Sequence, residues 1–547
     1  MRLVLAAGIL SLAGGLSPAK AAVVTGESVT VTSGTDNAYG GKAASSDDTV
    51  TGNTLSLSGT ASPSIAAGGY AEEGIASGNA LSIAYHASAG TAYGGYSSSG
   101  DVTGNHISMT EKTYVTEGAY GGYTGSGTAS GNTVALTGTD DSGVFLSDAG
   151  MVAGGYSANG NAEGNQVILT DDVSVKDKVY GGFSKKGDVS QNTVTMSNSS
   201  LSIDGTTRAV YGGYTADGNA EGNEVSIDNK SYVSDAYGGY TGNGDASGNA
   251  VSVKNTSIPD ASGGVAAGIG SASSNTVTLE NSMINSVAGG SANEGDATGN
   301  TVTLVNSGAA MVYGGSANTG NASGNTVTMT GGTGNGILFV VGGIVNGSGD
   351  ALDNHVTITN LTKDTQFMPG MPGIAGGVTM DGKAEGNTLS ITQDNGTVIN
   401  MADDQAPMYG GYASEGASGN SLSLGGSDLT AYDLYGGFTV SGDAVSNSVS
   451  INGSTVTGNT YGGYTASGNA SKNTVLLTNA AVEKDTSTEE AESPAVYGGF
   501  TESGDASENT VTVDGGTISA SLYGGYTKEG GCLREYGQYP ERHHRRK

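Results

Sequence analysis

Tyr461-Gly462-Gly463-Tyr464-Thr465-Ala466-Ser467-Gly468-Asn469-Ala470-Ser471-Lys472-Asn473-Thr474-Val475-Leu476-Leu477 is the plainest copy of a unit that fills the chain. A Gly-Gly pair opens it, and an Asn-Thr-Val strand start follows eleven residues later. Seventeen full copies are legible, from Gly40 to Gly498, spaced 25 to 36 residues apart, and an eighteenth opens at Gly524. A period in this range, sustained over almost the whole length, marks a repeat architecture. Each unit packs mainly on its neighbours, so 547 residues can form one elongated body rather than several globular domains.

Within a unit the pattern is that of β structure. Asn300-Thr301-Val302-Thr303-Leu304 alternates polar and apolar residues, which places Val302 and Leu304 on one face of a strand. A polar turn follows, then a shorter second strand around Ile284 or Val456, then a segment such as Val312-Tyr313-Gly314-Gly315. A loop of Ser, Ala, Asn, Gly and Asp leads onward, and no Gly-free helical stretch intervenes. Propeller blades need nearer 40 residues and close into rings of 4–8. Units of 25 to 28 residues fit coils better. The predicted fold is all-β, a right-handed parallel β-helix of about 18 coils, about 85 Å long at one strand spacing per coil.

Glycine supplies 96 residues, without the G-x-y period of collagen. The regular Val, Leu, Ile and Tyr positions argue against disorder. The Gly-Gly pair serves either a corner that needs φ > 0 or a close approach of the next coil's backbone. Flanking tyrosines then form two columns, one inward or covering the corner and one at the surface. The surface column, with Tyr96, Tyr123, Tyr214, Tyr240 and Tyr464, is a candidate ligand contact, although packing alone accounts for both columns. The strand-opening asparagines, among them Asn132, Asn165, Asn223, Asn249, Asn300, Asn325 and Asn473, are predicted to bond coil to coil as a structural ladder. Asp101, Asp188, Asp245, Asp296, Asp443 and Asp505 form an acidic stripe, read as a solvated face. It has neither the calcium nonapeptide nor the EF-hand spacing. Insertions vary the coils at 484–493 and at Phe367-Met368-Pro369-Gly370-Met371-Pro372-Gly373. Insertions on solenoids become side loops, often on a binding face, so Phe367, Met368 and Met371 are further candidate contacts.

The net charge is −31, from 52 acidic and 21 basic residues, which disfavours nucleic acid as a partner. No enzyme is expected. His86, His106 and His355 are scattered over the body, and Arg208 is its lone arginine. Gly-x-Gly-x-x-Gly strings occur without a βαβ frame, and no cofactor or metal motif appears. Polysaccharide-active β-helices gather acidic and basic groups on one coil, whereas here the acids repeat evenly. Ice-binding solenoids need a flat Thr-x-Thr face, and these threonines stand beside varied neighbours.

Residues 1–21 have the form of a secretory signal. Arg2 is basic, Leu3 to Leu16 is apolar, and Ala19-Lys20-Ala21 is a small-x-small cleavage site. Residues 22–530 form the repeat body, with no cysteine. Residues 531–547 break the composition and hold Cys532, the single cysteine. Read one base later, with suitable synonymous codons, they encode Asp-Ala-Ser-Gly-Asn-Thr-Val-Asn-Ile-Gln-Asn-Gly, the missing repeat, so the tail reads as a frameshift product.

The signal, the Tyr-Gly-Gly-Tyr units and the Gly-Asn-Thr-Val units together resemble the passenger of bacterial autotransporters. That resemblance implies a Gram-negative host and display at the cell surface for adhesion or aggregation. A host glycan, a host protein or a second cell would be the partner. A translocator barrel is expected, and its amphipathic strands with an aromatic last residue are absent from this chain. Without a barrel the product would be periplasmic. The alternative is a shielding surface fibre with no receptor.

Overall fold

The computed structural model describes residues 23–529, together with the backbone strands Cys532–Leu533 and Tyr536–Gln538. Positions 46, 111, 139–143, 147–149, 202–207, 333–336, 364, 366–372, 403–404 and 485–492 are outside the description, as are the side chains of Val144–Leu146. The signal-like segment, most of both insertions, and the candidates Phe367, Met368 and Met371 therefore lie outside the described residues.

The chain winds as a right-handed parallel β-solenoid of about 17–18 turns. Three parallel sheets run along the rod. Sheet 1 consists of strands of two or three residues, such as Ala297–Thr298. Sheet 2 consists mostly of five-residue strands, such as Thr301–Val305. Sheet 3 carries the Gly-Gly pairs on longer strands, such as Gly308–Ala317. Like positions stack in register. Val277 pairs with Val302, which pairs with Val327.

Sheet 2 alternates as its sequence predicts. Val302 and Leu304 are fully buried, and Thr301 and Thr303 face outward. These aliphatic columns join inward residues of sheet 3, such as Val287, Val312 and Val340, in one core running along the rod. A fully buried aliphatic side chain contributes about 1.5–3 kcal/mol, and every coil repeats the set. The apolar run from Ile337 to Val345, with a strand at Phe339–Val345, divides between faces: Ile337 and Val340 lie in this core, and Val341 and Ile344 in a separate cluster.

Two parts of the coil differ from the sequence reading. The loop ahead of each Asn contains sheet 1, whose strands of two or three residues, such as Ala246–Ser247 and Val189–Ser190, are too short to show a period. The separate second strand fuses with the third in many coils, as in Met283–Ala292. It stands alone as Val144–Leu146, Val173–Val175 and Ser200–Leu201, and again toward the C-terminal end, where Ile399–Asn400, Leu429–Ala431, Thr455–Val456, Ala481–Val482 and Thr517–Ile518 form a small fourth sheet. At the end of the described chain, Cys532–Leu533 pairs with Ala506–Ser507 and Tyr536–Gln538 with Thr510–Thr512.

The left-handed corner falls elsewhere than at the Gly-Gly pair. It is the residue just before each ladder asparagine, for example Gly104 (φ 63°), Gly248 (φ 63°) and Gly324 (φ 61°). Gln191, Ser274, Asp353, Ser446, Lys472 and Glu508 hold the same conformation without being glycine. The pair itself satisfies the other expectation, close approach. A Cβ on Gly121 would lie 2.5 Å from the carbonyl oxygen of Gly154 in the next coil. A Cβ on Gly122 would lie 2.5 Å from Cγ of Asn132. The first glycine admits the neighbouring backbone, and the second admits the asparagine amide.

Candidate functional site

The asparagine column is buried and closed on itself. Asn105 donates through Nδ2 to Oδ1 of Asn132 at 2.9 Å and to the carbonyl of Ala76 at 2.9 Å. Its own Oδ1 accepts the backbone N–H of Asn79 at 3.0 Å and the Nδ2 of Asn79 at 2.9 Å. The same links join Asn132 to Asn165, Asn223 to Asn249, Asn300 to Asn325 and Asn473 to Asn509. Both amide donors and both acceptor positions are used, so this column has nothing left to offer a ligand.

The acidic stripe is a second ladder at the next corner. Oδ1 of Asp188 accepts the backbone N–H of Asn219 at 2.8 Å, and Oδ1 of Asn219 accepts that of Asp245 at 2.9 Å. Asp245 serves Ser271, and Asp296 serves Asn321, both at 2.8 Å. These carboxylates are exposed, so the solvated reading holds in part, but they also hold the backbone. Acidic and neutral residues alternate from Asp188 to Asp350. Successive carboxylates are therefore about 10 Å apart, two coils, where physiological salt largely screens their repulsion. Among the described residues no group of three or more His, Cys, Asp or Glu side chains could hold a metal ion.

A third device was invisible in the sequence. The residue after the second tyrosine is Ser or Thr in most coils, and its hydroxyl pins the corner into sheet 1. Thr215 donates to the carbonyl of Gly187 at 2.8 Å and accepts the N–H of Gly218 at 3.1 Å. Ala266, Ala292, Ala317 and Val345 take its place in the middle coils.

The tyrosines form the most distinctive outer surface. Of the two expectations for the first column, inward or covering the corner, the inward one is corrected, because both columns lie outside the core on the outer face of sheet 3. They cluster with each other, as Tyr156, Tyr180, Phe183 and Tyr211 do, apart from the aliphatic core. The glycines between them take the inward space, so both flanking rings turn outward. Within a column the rings stack from coil to coil, as for Tyr123 and Tyr156 (4.7 Å, 3°) and Tyr214 and Tyr240 (5.1 Å, 5°). Between columns they meet edge to face, as for Tyr211 and Tyr214 (5.3 Å, 81°). Such pairs add about 0.5–1.5 kcal/mol each beyond their buried area. The first column is the more buried; the second, with Tyr96, Tyr123, Tyr214, Tyr240 and Tyr464, is half-buried. Inside a stack each ring face is covered by the next ring, so edges and hydroxyls are what solvent meets. Burial, reinforced by neighbouring phenols, pushes Tyr70 and Tyr120 up to about 12. Tyr464 also rises to about 12, by burial and then by its hydrogen bond to Glu502 (3.0 Å).

The aromatic face is interrupted. Stacks run from Tyr39 to Tyr240 and resume from Tyr409 to Tyr526, while the middle coils carry Ser262, Val265, Ala288, Ser291, Tyr313 and Ser316 at these positions. Beside the gap, Asp235 pairs in register with Asp260. Burial, and then the carboxylate of Asp260, raises the Asp235 carboxyl. Burial raises Asp260 too, against a hydrogen bond from Asn285. Sheet 2 presents a contrasting outer face of small hydroxyls. From Thr301 to Thr478 its outward strand positions hold Thr, Ser, Asn, Val, Leu, Gly and His355, and none is acidic.

A solenoid with ladders along its corners and an aromatic outer face defines a class by architecture, a scaffold shared by adhesins, enzymes and structural fibres. Comparison with protein-family models, with curated proteins and with solved structures finds no match.

Proposed function

We propose that this chain is the passenger of a bacterial autotransporter, exported from a Gram-negative cell and displayed as a non-enzymatic rod that adheres to a host glycan or protein or to another cell. The observation that carries the reading is the separation of duties in the coil. Asparagine amides, the Asp/Asn column and the corner hydroxyls are consumed in holding coil to coil. Chemistry for an outside partner is confined to the outer faces of the sheets. An acidic rod without cysteine in its body suits life outside the cytoplasm, since stacking replaces disulfides. The stacked, edge-on tyrosines favour one competing reading, a shielding fibre whose aromatic face is cladding.

Antibody labelling of intact cells that express the gene tests display, and binding of the labelled cells to a glycan array and to host matrix proteins tests adhesion. Labelling that requires a permeabilised outer membrane would refute display. Surface labelling without binding to any glycan, protein or sister cell would favour the shielding fibre.

A further inference from the structure

The break in the aromatic face is a slot with chemistry of its own. In the first column Tyr237 is followed, coil by coil, by Ser262, Ala288 and Tyr313. Tyr211 and Tyr237 stack at 5.0 Å, so one face of Tyr237 is covered and the other looks over Ser262. Tyr313 packs against the cluster of Val341 and Ile344 on its far side and has no ring partner among the described residues. Two ring faces thus look toward each other across three coil spacings, about 14 Å, over a floor of Ser262 and Ala288.

Elsewhere in this column the missing rings leave no such space. Ala67, Ala153 and Ala375 have no solvent exposure, whereas Ala288 retains 9%. One flank of the slot carries Asp260 and Ser286, two residues before Ser262 and Ala288 on the same strand face. Among the described residues neither Asp235 nor Asp260 has a cation within ion-pair distance. Lys254, on the same coil as Asp260, is engaged with Glu280 at 2.9 Å on sheet 2. Asn285, which hydrogen-bonds Asp260, also lines a cleft of about 290 Å³ whose other walls include Ile258, Ile284, Ala309 and Ile337.

We propose that this slot binds an arginine side chain of a basic partner protein. The guanidinium would stack on the exposed face of Tyr237 or Tyr313 and be met by Asp260, with its aliphatic stem against the cleft beside Asn285. A planar, weakly hydrated cation is the group that an aromatic face and a carboxylate recognise together, and apolar surface accepts its methylene stem. A compact ammonium gains less from stacking. Rings of this chain already hold cations, the Arg208 guanidinium 5.9 Å from the centre of the Tyr232 ring and the ammonium groups of Lys42 and Lys528 over Tyr39 (4.9 Å) and Phe500 (5.6 Å). The strongly acidic body draws basic partners toward the site. The proposal deepens the adhesive reading by naming a partner chemistry, and it is tested on the purified rod, so failure of surface display leaves it standing.

The probe is an acetylated Gly-Arg-Gly amide titrated into the full chain, followed by NMR of the peptide, with Gly-Lys-Gly amide and a neutral oligosaccharide as comparisons. The arginine peptide is expected to bind at least fivefold tighter than the lysine peptide. Ala288→Tyr supplies the ring that other coils carry, so it should fold as the parent does while weakening binding at least tenfold. Asp260→Asn should weaken it about fivefold, and Tyr313→Phe should leave it unchanged, because the ring face is what is used. Equal binding of the two peptides, which marks general attraction to an acidic rod, would overturn the proposal. So would undiminished binding by a correctly folded Ala288→Tyr variant, or an oligosaccharide that binds at the slot in place of arginine.

Discussion

The close fit of Gly213 against Asn223 gives a sharp test of why each coil needs both residues. Oδ1 of Asn223 accepts the backbone N–H of Asn192 (3.1 Å) and its Nδ2 (2.9 Å), while Nδ2 of Asn223 donates to the carbonyl of Val189 (3.0 Å) and to Oδ1 of Asn249 (2.9 Å). Asn223→Ala removes all four bonds and strands two N–H groups of Asn192 at a position with no solvent exposure. At about 1–3 kcal/mol for each of the two orphaned buried donors, with about 1 kcal/mol for the lost packing, the cost is about 3–7 kcal/mol. Gly213→Ala alone places a methyl 2.5 Å from Cγ of an amide pinned by four bonds, and overpacking of this kind costs about 1–3 kcal/mol. In the double variant the methyl enters the space the amide has left, so the clash vanishes. The double variant should then be no less stable than Asn223→Ala, with a coupling of about 1–3 kcal/mol. Coils contact mainly their neighbours, so a global melt is not a two-state measure. Native-state hydrogen exchange in the strands Thr193–Ser197, Glu224–Asp228 and Ala250–Lys254 is the direct assay. Protection there should fall by about 10²–10⁵-fold in Asn223→Ala. Loss of less than tenfold, or simple additivity of the two substitutions, would refute the account of the glycine.

Three further outcomes follow from the corners and the aromatic face. Lys472 occupies the left-handed corner at φ 59°, so Lys472→Gly should stabilise its coil by about 1 kcal/mol, and Gly248→Val, at φ 63°, should destabilise by more than that; hydrogen exchange in the strands of the two coils decides. Thr215→Val deletes a buried hydroxyl that both donates and accepts, and should cost about 1–3 kcal/mol by the same hydrogen-exchange measurement. The tyrosines should titrate late. Folding raises Tyr70, Tyr120 and Tyr237 to about 12 from an ordinary value near 10, burial being the main cause in each. A raised phenol contributes stability that is complete below the unfolded value and is lost as pH climbs from about 10 to about 12. Phenolate absorbance should therefore appear together with loss of β circular dichroism, whereas a plain titration near 10 with the fold intact would contradict the stacking.

The repeat itself was legible because its signals are large. Alternation in Thr301-Val302-Thr303-Leu304, a fixed Asn and a fixed Gly-Gly pair permit few folds other than stacked coils. What the sequence concealed lies in the shortest strands, the corners and the register. Sheet 1 is built from strands of two or three residues, too short to display a period of two. The left-handed corner was concealed because glycine is common at every turn of this chain. Lys472 and Gln191, which have the same φ as Gly248, give no compositional hint of it. The direction of the tyrosines was also hidden, since a side chain three residues from another across Gly-Gly could lie on either face. Only the demand of the asparagine amide for the inward space settles that both rings turn out. The Asp/Asn alternation from Asp188 to Asp350 was visible as letters, but its meaning needs the coil register that sets one residue over the next.

In a solenoid, what repeats is pressed into service by its neighbours above and below. A tyrosine in the middle of a stack has spent both ring faces on other tyrosines, and an asparagine in the ladder has spent every donor and acceptor. The free chemistry must therefore collect where the repeat breaks. The coils from Ser262 to Ser316 lose two devices together: the aromatic columns and the corner hydroxyl. Their remaining coil contacts still satisfy the backbone in register. Substitution at three periodic positions within the same few coils, with the ladder Asn275–Asn300–Asn325 unbroken beneath them, separates what holds the rod from what it presents. It also makes the consequence for engineering directional. Restoring the consensus in those coils, with Tyr at 262 and 288 and Thr at 266 and 292, should raise local stability through the added stacking pairs and buried hydrogen bonds, and should do so at the expense of the slot.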